Sequence, residues 1–167
     1  MPPDLAAGYN DRQALAAIKT SLQANLTDPR EQYTATDRNW IHTDRPLASA
    51  TYPRIQVRKR GPTVTEKISM GRGSCYIEWR SMIVDIQFWS KAPFKWKTAD
   101  NVYLQDEELV REWLDKIWVA LKAKEQTLYN SDGITGFKPV DEGDAFLEPD
   151  TQLYSGVISI RVWYFRR

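Results

Sequence analysis

Alternation of apolar and polar residues along the chain predicts an early strand region, Arg54–Met70. Ile55 and Val57 alternate there with polar neighbours, which is the two-residue period of a β-strand. Gly61-Pro62 interrupts this region and Gly71-Arg72-Gly73 follows it, and both are sequences typical of turns. The pattern therefore predicts two strands that form a β-hairpin with a basic outward face.

Two further apolar runs predict strands later in the sequence. The run Cys75–Trp89 changes the phase of its alternation part of the way along, which predicts a β-bulge near Arg80–Met82. The run Leu153–Arg167 ends with Trp163 and Phe165 on the face that is polar earlier in the strand. A strand end that is apolar on both faces is typical of a position inside a sheet or under another subunit.

Two other stretches show the spacing of an amphipathic helix. The first, Asp11–Leu26, can be capped by Asn10 or Asp11, and Gln13 is placed to complete a capping box. The second, Asp106–Tyr129, begins with three carboxylates, which the helix dipole favours at that end. Its apolar residues line one side and its charged residues the other, so one side is expected to be buried.

The segment 27–52 carries little periodicity of either kind. A stretch this long without secondary structure is uncommon inside a compact domain. We expect a long loop or arm that becomes ordered against a partner, because Trp40 and Ile41 would otherwise be exposed to solvent. Together the elements predict an α+β fold in a single domain, 1–167. Its mostly antiparallel sheet, with a long β-hairpin, packs against one major and one N-terminal helix.

Composition narrows the possible environments. The chain has 42% apolar and 27% charged residues, which is typical of a globular protein. Its formal net charge of +1 gives no overall positive potential that would attract nucleic acid. No apolar run approaches the ~18 residues of a membrane helix. The N-terminus lacks a secretory signal pattern. We therefore expect no membrane association, and use in a cytoplasm or as part of something larger.

Catalytic motifs are absent from the sequence. The single cysteine, Cys75, and the single histidine, His42, exclude an intrachain disulfide and speak against a Cys–His pair or a metal cluster. No phosphate-binding loop, nucleophile elbow or zinc-binding spacing occurs. Glu78 and Asp85 would lie about 23 Å apart on an unbroken strand, which is too far for acid–base work on one substrate. We predict that the protein is not an enzyme and holds no metal and no cofactor.

Seven tryptophans are many for a chain of this length. Aromatic residues dominate the energetics of both cores and interfaces, so some of them are expected at subunit contacts, with an aromatic-rich core as the alternative. They are Trp40, Trp79, Trp89, Trp96, Trp113, Trp118 and Trp163.

Two segments of this nearly neutral chain are strongly charged. Residues 54–72 carry six basic side chains and one acidic one, and residues 141–150 carry five acidic side chains and no basic one. The acidic spacing is not that of an EF-hand, so a solvated loop is favoured over a calcium site. If the two segments lie on opposite flanks, copies can join head to tail, and such contacts close into rings when the rotation allows. Charge reversal at Arg58 and Arg60 is then expected to break the oligomer.

A nucleic-acid-binding module that uses the basic hairpin 54–72 is an alternative interpretation. This hairpin lacks the aromatic residues on which single-stranded bases stack, which weakens the alternative. A third interpretation is a small enzyme with an unrecognised site, or an immunity or antitoxin factor of similar element order. A deep pocket with clustered polar groups would favour the enzyme.

The element order resembles that of the tail terminator, or tail completion, proteins of long-tailed bacteriophages and related viruses, such as the lambda-type tail-capping subunit. The resemblance rests on Tyr52-Pro53-Arg54-Ile55, the long strand through Trp79–Phe88, the major helix and the closing strand Gly156–Phe165. It covers roughly residues 10–167. It implies a structural protein that forms a ring, usually a hexamer, on the last ring of tail-tube subunits.

Such a ring stops growth of the tube and presents a surface to the head-side connector. The implied partners are copies of the chain, the tail-tube protein and a head–tail connector or neck protein, with DNA passing through without specific binding. The implied location is the virion, assembled in the host cytoplasm. The segment 27–52 and the tryptophan content depart from the family, so another neck or head-completion ring protein is an alternative. The predicted contact residues are Trp40, Arg54, Arg58, Arg60, Trp96, Asp141, Glu142 and Asp144.

Overall fold

The computed structural model describes residues 10–32, 39–43, 51–69, 76–131 and 134–166. The helices are α1 (Asp11–Asn25), the short 3₁₀ helix η1 (Pro29–Gln32) and α2 (Asp106–Ser131). The strands are β1 (Ile41–His42), β2 (Arg54–Ser69), β3 (Tyr76–Lys91), β4 (Lys95–Lys97), β5 (Tyr103–Gln105), β6 (Ile134–Glu142), β7 (Phe146–Glu148) and β8 (Leu153–Arg166).

A six-stranded sheet and the two α-helices form an α+β fold, as predicted. The sheet has the order β1-β2-β3-β8-β6, with β7 also paired to β8, while β4 and β5 form a separate hairpin. All neighbours are antiparallel except β1 and β2. Helices α1 and α2 contact each other and the sheet. We call the face under the helices the inner face and the opposite face the outer face.

The core lies between the helices and the inner face. Every second residue of each long strand points to that face, which is the period expected of a pleated sheet. Its largest fully buried side chains are Tyr164, Phe88, Ile18, Leu22, Ile41, Ile55, Met82, Ile86, Leu109, Ile117, Leu121 and Leu128.

Both predicted helices form close to their predicted bounds. The Asn10 side chain accepts a hydrogen bond from the Gln13 backbone N–H, and the Gln13 side chain accepts one from the Asn10 N–H, both at 2.9 Å. This is the predicted capping box. Helix α1 ends at Asn25, one residue early, and α2 runs on to Ser131.

The hairpin predicted at Gly61-Pro62 is wrong, because β2 is one continuous strand. Its pairing with β3 shifts register between Arg60 and Val64, where three residues of β2 oppose Met82 alone. Gly61 has a φ of +68°, a conformation that glycine adopts without steric cost. Gly61-Pro62 is therefore absorbed into a bulge, and the long hairpin consists of β2 and β3.

The bulge predicted near Arg80–Met82 lies in the opposing strand instead. β3 pairs with β8 without interruption from Glu78 to Lys91. Its pattern changes phase because apolar residues move from one face to the other: Trp79 lies on the outer face against Phe165, whereas Met82 is buried on the inner face. A change of phase therefore marks a strand with apolar residues on both faces here.

Strand β6 forms where no strand was predicted, in the region that leads into the acidic segment. Its register against β8 shifts twice, near Gly136 and again between Pro139 and Asp141, so it shows no clean alternation. Proline lacks the N–H that a central strand needs and is tolerated at a sheet edge. The segment 141–150, predicted as a loop, thus begins in β6 and continues through β7.

The described parts of the segment 27–52 pack against the rest of the molecule. Trp40 is 6% exposed and Ile41 is fully buried, and the Trp40 ring lies edge-on to Trp113 with 5.5 Å between centroids. The expectation that Trp40 and Ile41 need a partner to cover them is wrong. Residues 33–38 and 44–50, and the turn predicted at 71–73, lie outside the described residues.

Candidate interaction surfaces

The two charged segments lie toward opposite edges of the sheet. β3 and β8 separate β2 from β6, which places the two strands about 14 Å apart at the usual strand spacing. β1 covers β2 only at Ile55 and Gln56. We use the name basic edge for the described cations at the start of β2, namely Arg54, Arg58, Lys59 and Arg60.

The opposite, acidic edge combines carboxylates with exposed apolar side chains. Its carboxylates are Asp141, Asp144, Glu148 and Asp150, and its apolar side chains, each 42–45% exposed, are Val140, Phe146 and Leu147. Exposed apolar groups rimmed by polar ones mark interaction sites. Glu142 is the last residue of β6, and its side chain lies outside the described part of the structure.

Asp144 is bonded within its own chain. Its carboxylate accepts a hydrogen bond from Arg111 Nε at 3.0 Å and another from the Ala145 backbone N–H at 2.8 Å. These bonds, with the Arg111 bond foremost, hold the pKa of Asp144 below its usual value. Asp141 and Asp150 are exposed and are therefore the better positions at which to test contact with another molecule.

On the outer face, a buried carboxylate organises two residues of the basic edge. Asp85 is 2% exposed; its oxygens lie 2.9 and 3.0 Å from Arg60 Nε and 3.6 Å from Arg58 Nε. Ser159 donates a hydrogen bond of 2.8 Å to Asp85 and accepts one of 2.8 Å from Arg60. Because Arg60 helps to compensate a buried charge, reversing it would disturb the fold itself. Arg58, which is 53% exposed, is the cleaner test of a surface charge.

The other two cations of the basic edge also have partners within the chain. The Arg54 guanidinium lies 4.3 Å from the centre of the Tyr52 ring and donates a 2.9 Å hydrogen bond to its hydroxyl. Lys59 Nζ lies 2.6 Å from an Asp11 oxygen. Asp85 and Asp11 offset two of the four positive charges of this edge, which lowers the potential available to a phosphate backbone and weakens the nucleic-acid interpretation.

Asp11 ties α1 to both β2 and β8. Its carboxylate accepts hydrogen bonds from Lys59, from Thr63 in the β2 bulge and from the hydroxyl of Tyr164. Burial opposes ionisation of Asp11, but the bonds from Lys59, Tyr164 and Thr63 outweigh it and lower the pKa of Asp11 to about 2. Burial, followed by the bond to Asp11, raises the pKa of Tyr164.

The carboxylates considered for acid–base chemistry do not meet. Glu78 and Asp85 lie an odd number of residues apart on a regular strand, so their side chains are on opposite faces. Glu78 pairs instead with Arg80 at 2.8 Å. Within the described ranges, no group of three or more His, Cys, Asp or Glu side chains is placed to hold a metal ion. Neither α-helix, over its described residues, is apolar enough along a sufficient length to cross a bilayer.

The predicted contact residues fall into three groups. Arg54, Arg58 and Arg60 lie together on β2, and Asp141, Glu142 and Asp144 lie together at the other edge. Trp40 is in the core and does not reach the surface. Trp96 packs partly buried against Trp113, with 5.7 Å between ring centroids.

The exposed apolar residues of the acidic edge were not predicted. Phe146 and Leu147 lie between carboxylates in the sequence, and Val140 precedes the acidic segment. Apolar residues inside a charged segment are the signal that could have identified them.

Comparison with known proteins gives structural likenesses but no match at the level of sequence. No protein-family model matches the sequence, and no curated protein matches it. A chain of the solved structure titled "Virion of native gene transfer agent (GTA) particle" matches with 12% sequence identity and a TM-score of 0.48. The match covers 97% of this chain and 98% of that chain.

Proposed function

We propose that the chain is a structural virion protein whose copies join head to tail, through the basic edge and the acidic edge, into a ring. The ring caps the tail tube and joins the tail to the head-side connector. The observation that carries the proposal is the placement of unlike charges at opposite edges of one sheet. The resemblance in element order supplies the position in the particle.

Strand direction supports contact between these edges. β2, β3, β8 and β6 alternate in direction, so β2 and β6 run opposite ways. A rotation about an axis along the strands would bring β2 of one copy beside β6 of the next as antiparallel neighbours with opposite charges. Repeated head-to-tail contacts of this kind close into a ring when the rotation divides a full turn.

Side chains, rather than a continuous hydrogen-bond ladder, would make this contact. β6 carries Pro139 and two register shifts, and β2 carries the bulge at Gly61-Pro62. Proline, bulges and charged residues are the features by which edge strands avoid open-ended pairing. The exposed Val140, Phe146 and Leu147 supply the apolar area that a stable contact needs.

The partners in this proposal are the tail-tube protein on one side of the ring and a connector or neck protein on the other. DNA passes through without specific binding, and no step of catalysis is involved. Binding of purified rings to the ends of tail tubes would favour the tail-capping role. Binding to the connector alone would favour the alternative neck or head-completion role.

The proposal is tested by charge reversal at the acidic edge. Electron microscopy and native mass spectrometry of the purified protein should show rings of one size. The double variant Asp141→Lys, Asp150→Lys should shift the population to monomers, because each ring contact then loses two carboxylates and places two lysines opposite the basic edge. Asp100→Lys, an exposed position in the β4–β5 turn, is the control and should leave the rings intact. A monomeric wild-type protein, or rings that survive the double variant, would contradict the proposal.

A further inference from the structure

A groove of about 660 Å³ lies on the helical side of the molecule, between the end of α1, η1, β4 and the middle of α2. Its apolar lining comes from Leu26, Trp96, Trp113, Val119, Ala120 and Ala123. Val119 is 66% exposed although it stands in the middle of α2. A concave apolar surface with a large exposed aliphatic side chain is typical of a site that receives a partner.

The polar lining of the groove is acidic. Among the described lining residues, Asp28, Glu31, Glu112 and Asp115 stand against one cation, Lys116, which gives these residues a formal charge of −4 + 1 = −3. Lys116 is engaged within the subunit, since its Nζ lies 3.5 Å from Glu112 and 5.0 Å from the centre of the Trp96 ring. This charge repels phosphate groups and attracts a cationic occupant.

Trp113, one of the lining residues of the groove, carries a buried indole donor. Trp113 is 2% exposed, and no acceptor among the described residues bonds its indole Nε1–H. Buried donors are normally paired, and a lone one is costly. Because the Nε1 atom is itself buried, it does not add to the surface that the groove offers to a partner.

We propose that this groove is a docking site for a cationic amphipathic helix of another protein. Such a helix would place apolar side chains against Val119 and Trp96 and lysine or arginine side chains against the acidic rim, which is the helix-in-groove mode of recognition. The groove is built from α1, η1, β4 and α2, whereas the ring contacts are built from β2, β6 and β7. The proposed docking site therefore does not depend on the proposed ring.

The probe for this site is a fluorescein-labelled peptide of about four helical turns, with leucine at helical spacing and lysine elsewhere. A matched peptide with glutamate in place of lysine is the probe control. Binding is measured by fluorescence anisotropy at about 0.1 M salt, where long-range attraction is screened. Val119→Asn and Asp115→Lys change exposed groove positions. Val102→Asn and Asp100→Lys make the same changes at exposed positions of the β4–β5 turn, outside the described groove lining and the ring contacts.

We expect the lysine peptide to bind wild-type protein and the glutamate peptide not to. Val119→Asn, which removes an apolar contact, and Asp115→Lys, which removes an attractive charge, should each weaken binding about tenfold, and the two outside variants should not. No binding, or equal loss from groove and outside variants, would overturn the proposal. Native mass spectrometry of the same samples keeps the two proposals separate: rings without peptide binding overturn only the groove, and peptide binding by monomers overturns only the ring.

Discussion

Asp11 shows how one residue at a helix start can hold several elements together. It lies in the first turn of α1, where the helix dipole favours a negative charge, and it also accepts bonds from β2 and β8. Its lowered pKa means that the folded state favours the ionised carboxylate. The stability that follows from this is complete above the ordinary value of 3.8 and is lost as the pH falls toward about 2.

We therefore predict a pH-dependent cost for Asp11→Asn. At neutral pH the variant should lose up to about 2 kcal/mol of the free energy of unfolding, because the amide keeps the shape and loses the charge. This difference from wild type should shrink between about pH 4 and pH 2, since wild-type Asp11 is itself protonated over that range. Urea denaturation of both proteins across the range measures it. A difference that stays constant with pH would show that the ionised carboxylate is not the cause.

At the scale of elements, the helices could be predicted from sequence and the sheet only in part. The capping box at Asn10 and the spacing of α1 are local, so neighbouring residues suffice to identify them. A Gly-Pro pair is compatible with a turn or with a bulge, and at Gly61-Pro62 the choice depends on pairing with β3, a partner distant in the sequence. β6 is missed for a related reason, because its register shifts remove the alternation that would reveal it.

The packing of α2 on β8 gives a prediction at this scale. A Cβ added at Gly156 would lie 2.8 Å from side-chain carbons of both Val110 and Leu114, closer than real contacts allow. Gly156→Ala should therefore push α2 from the sheet and cost about 1–3 kcal/mol of unfolding free energy. Gly136→Ala is the matched control, because no atom lies within 4 Å of its added Cβ. Equal thermal stability of the two variants would mean that α2 does not pack this closely on β8.

At the scale of the whole molecule, the two charged segments can be identified from the sequence, but their positions in the sheet relative to each other cannot. The opposite positions of Arg58 and Asp141 follow from the strand order, which depends on long-range pairing. The exposed apolar residues Phe146 and Leu147 belong to the acidic edge because β7 pairs with β8, which the sequence alone does not predict. The sequence predicts Trp40 at a contact because the segment around it has no periodicity. Its burial in the core involves Trp113, which is distant in the sequence.

Head-to-tail assembly makes a prediction that other forms of association do not. In such a ring each contact joins the basic edge of one copy to the acidic edge of the next. Arg58→Glu impairs one side of every contact, and Asp141→Lys with Asp150→Lys impairs the other, so each variant alone should be monomeric. In a mixture, the two variants can alternate around the ring. The reversed side chains then face each other with opposite charge, and the unaltered edges do the same.

Mixing the two variants in equal amounts should therefore restore rings, and only rings with an even number of subunits. Native mass spectrometry with one variant isotopically labelled measures the number of subunits in each ring and the ratio of the two variants, which should be one to one. A thermal unfolding curve of Arg58→Glu checks that the 3.6 Å contact with Asp85 is dispensable for folding. If each variant stays folded and the mixture stays monomeric, the two edges do not contact each other. A symmetric two-fold contact, in which each edge meets its own copy, would give no such rescue by alternation.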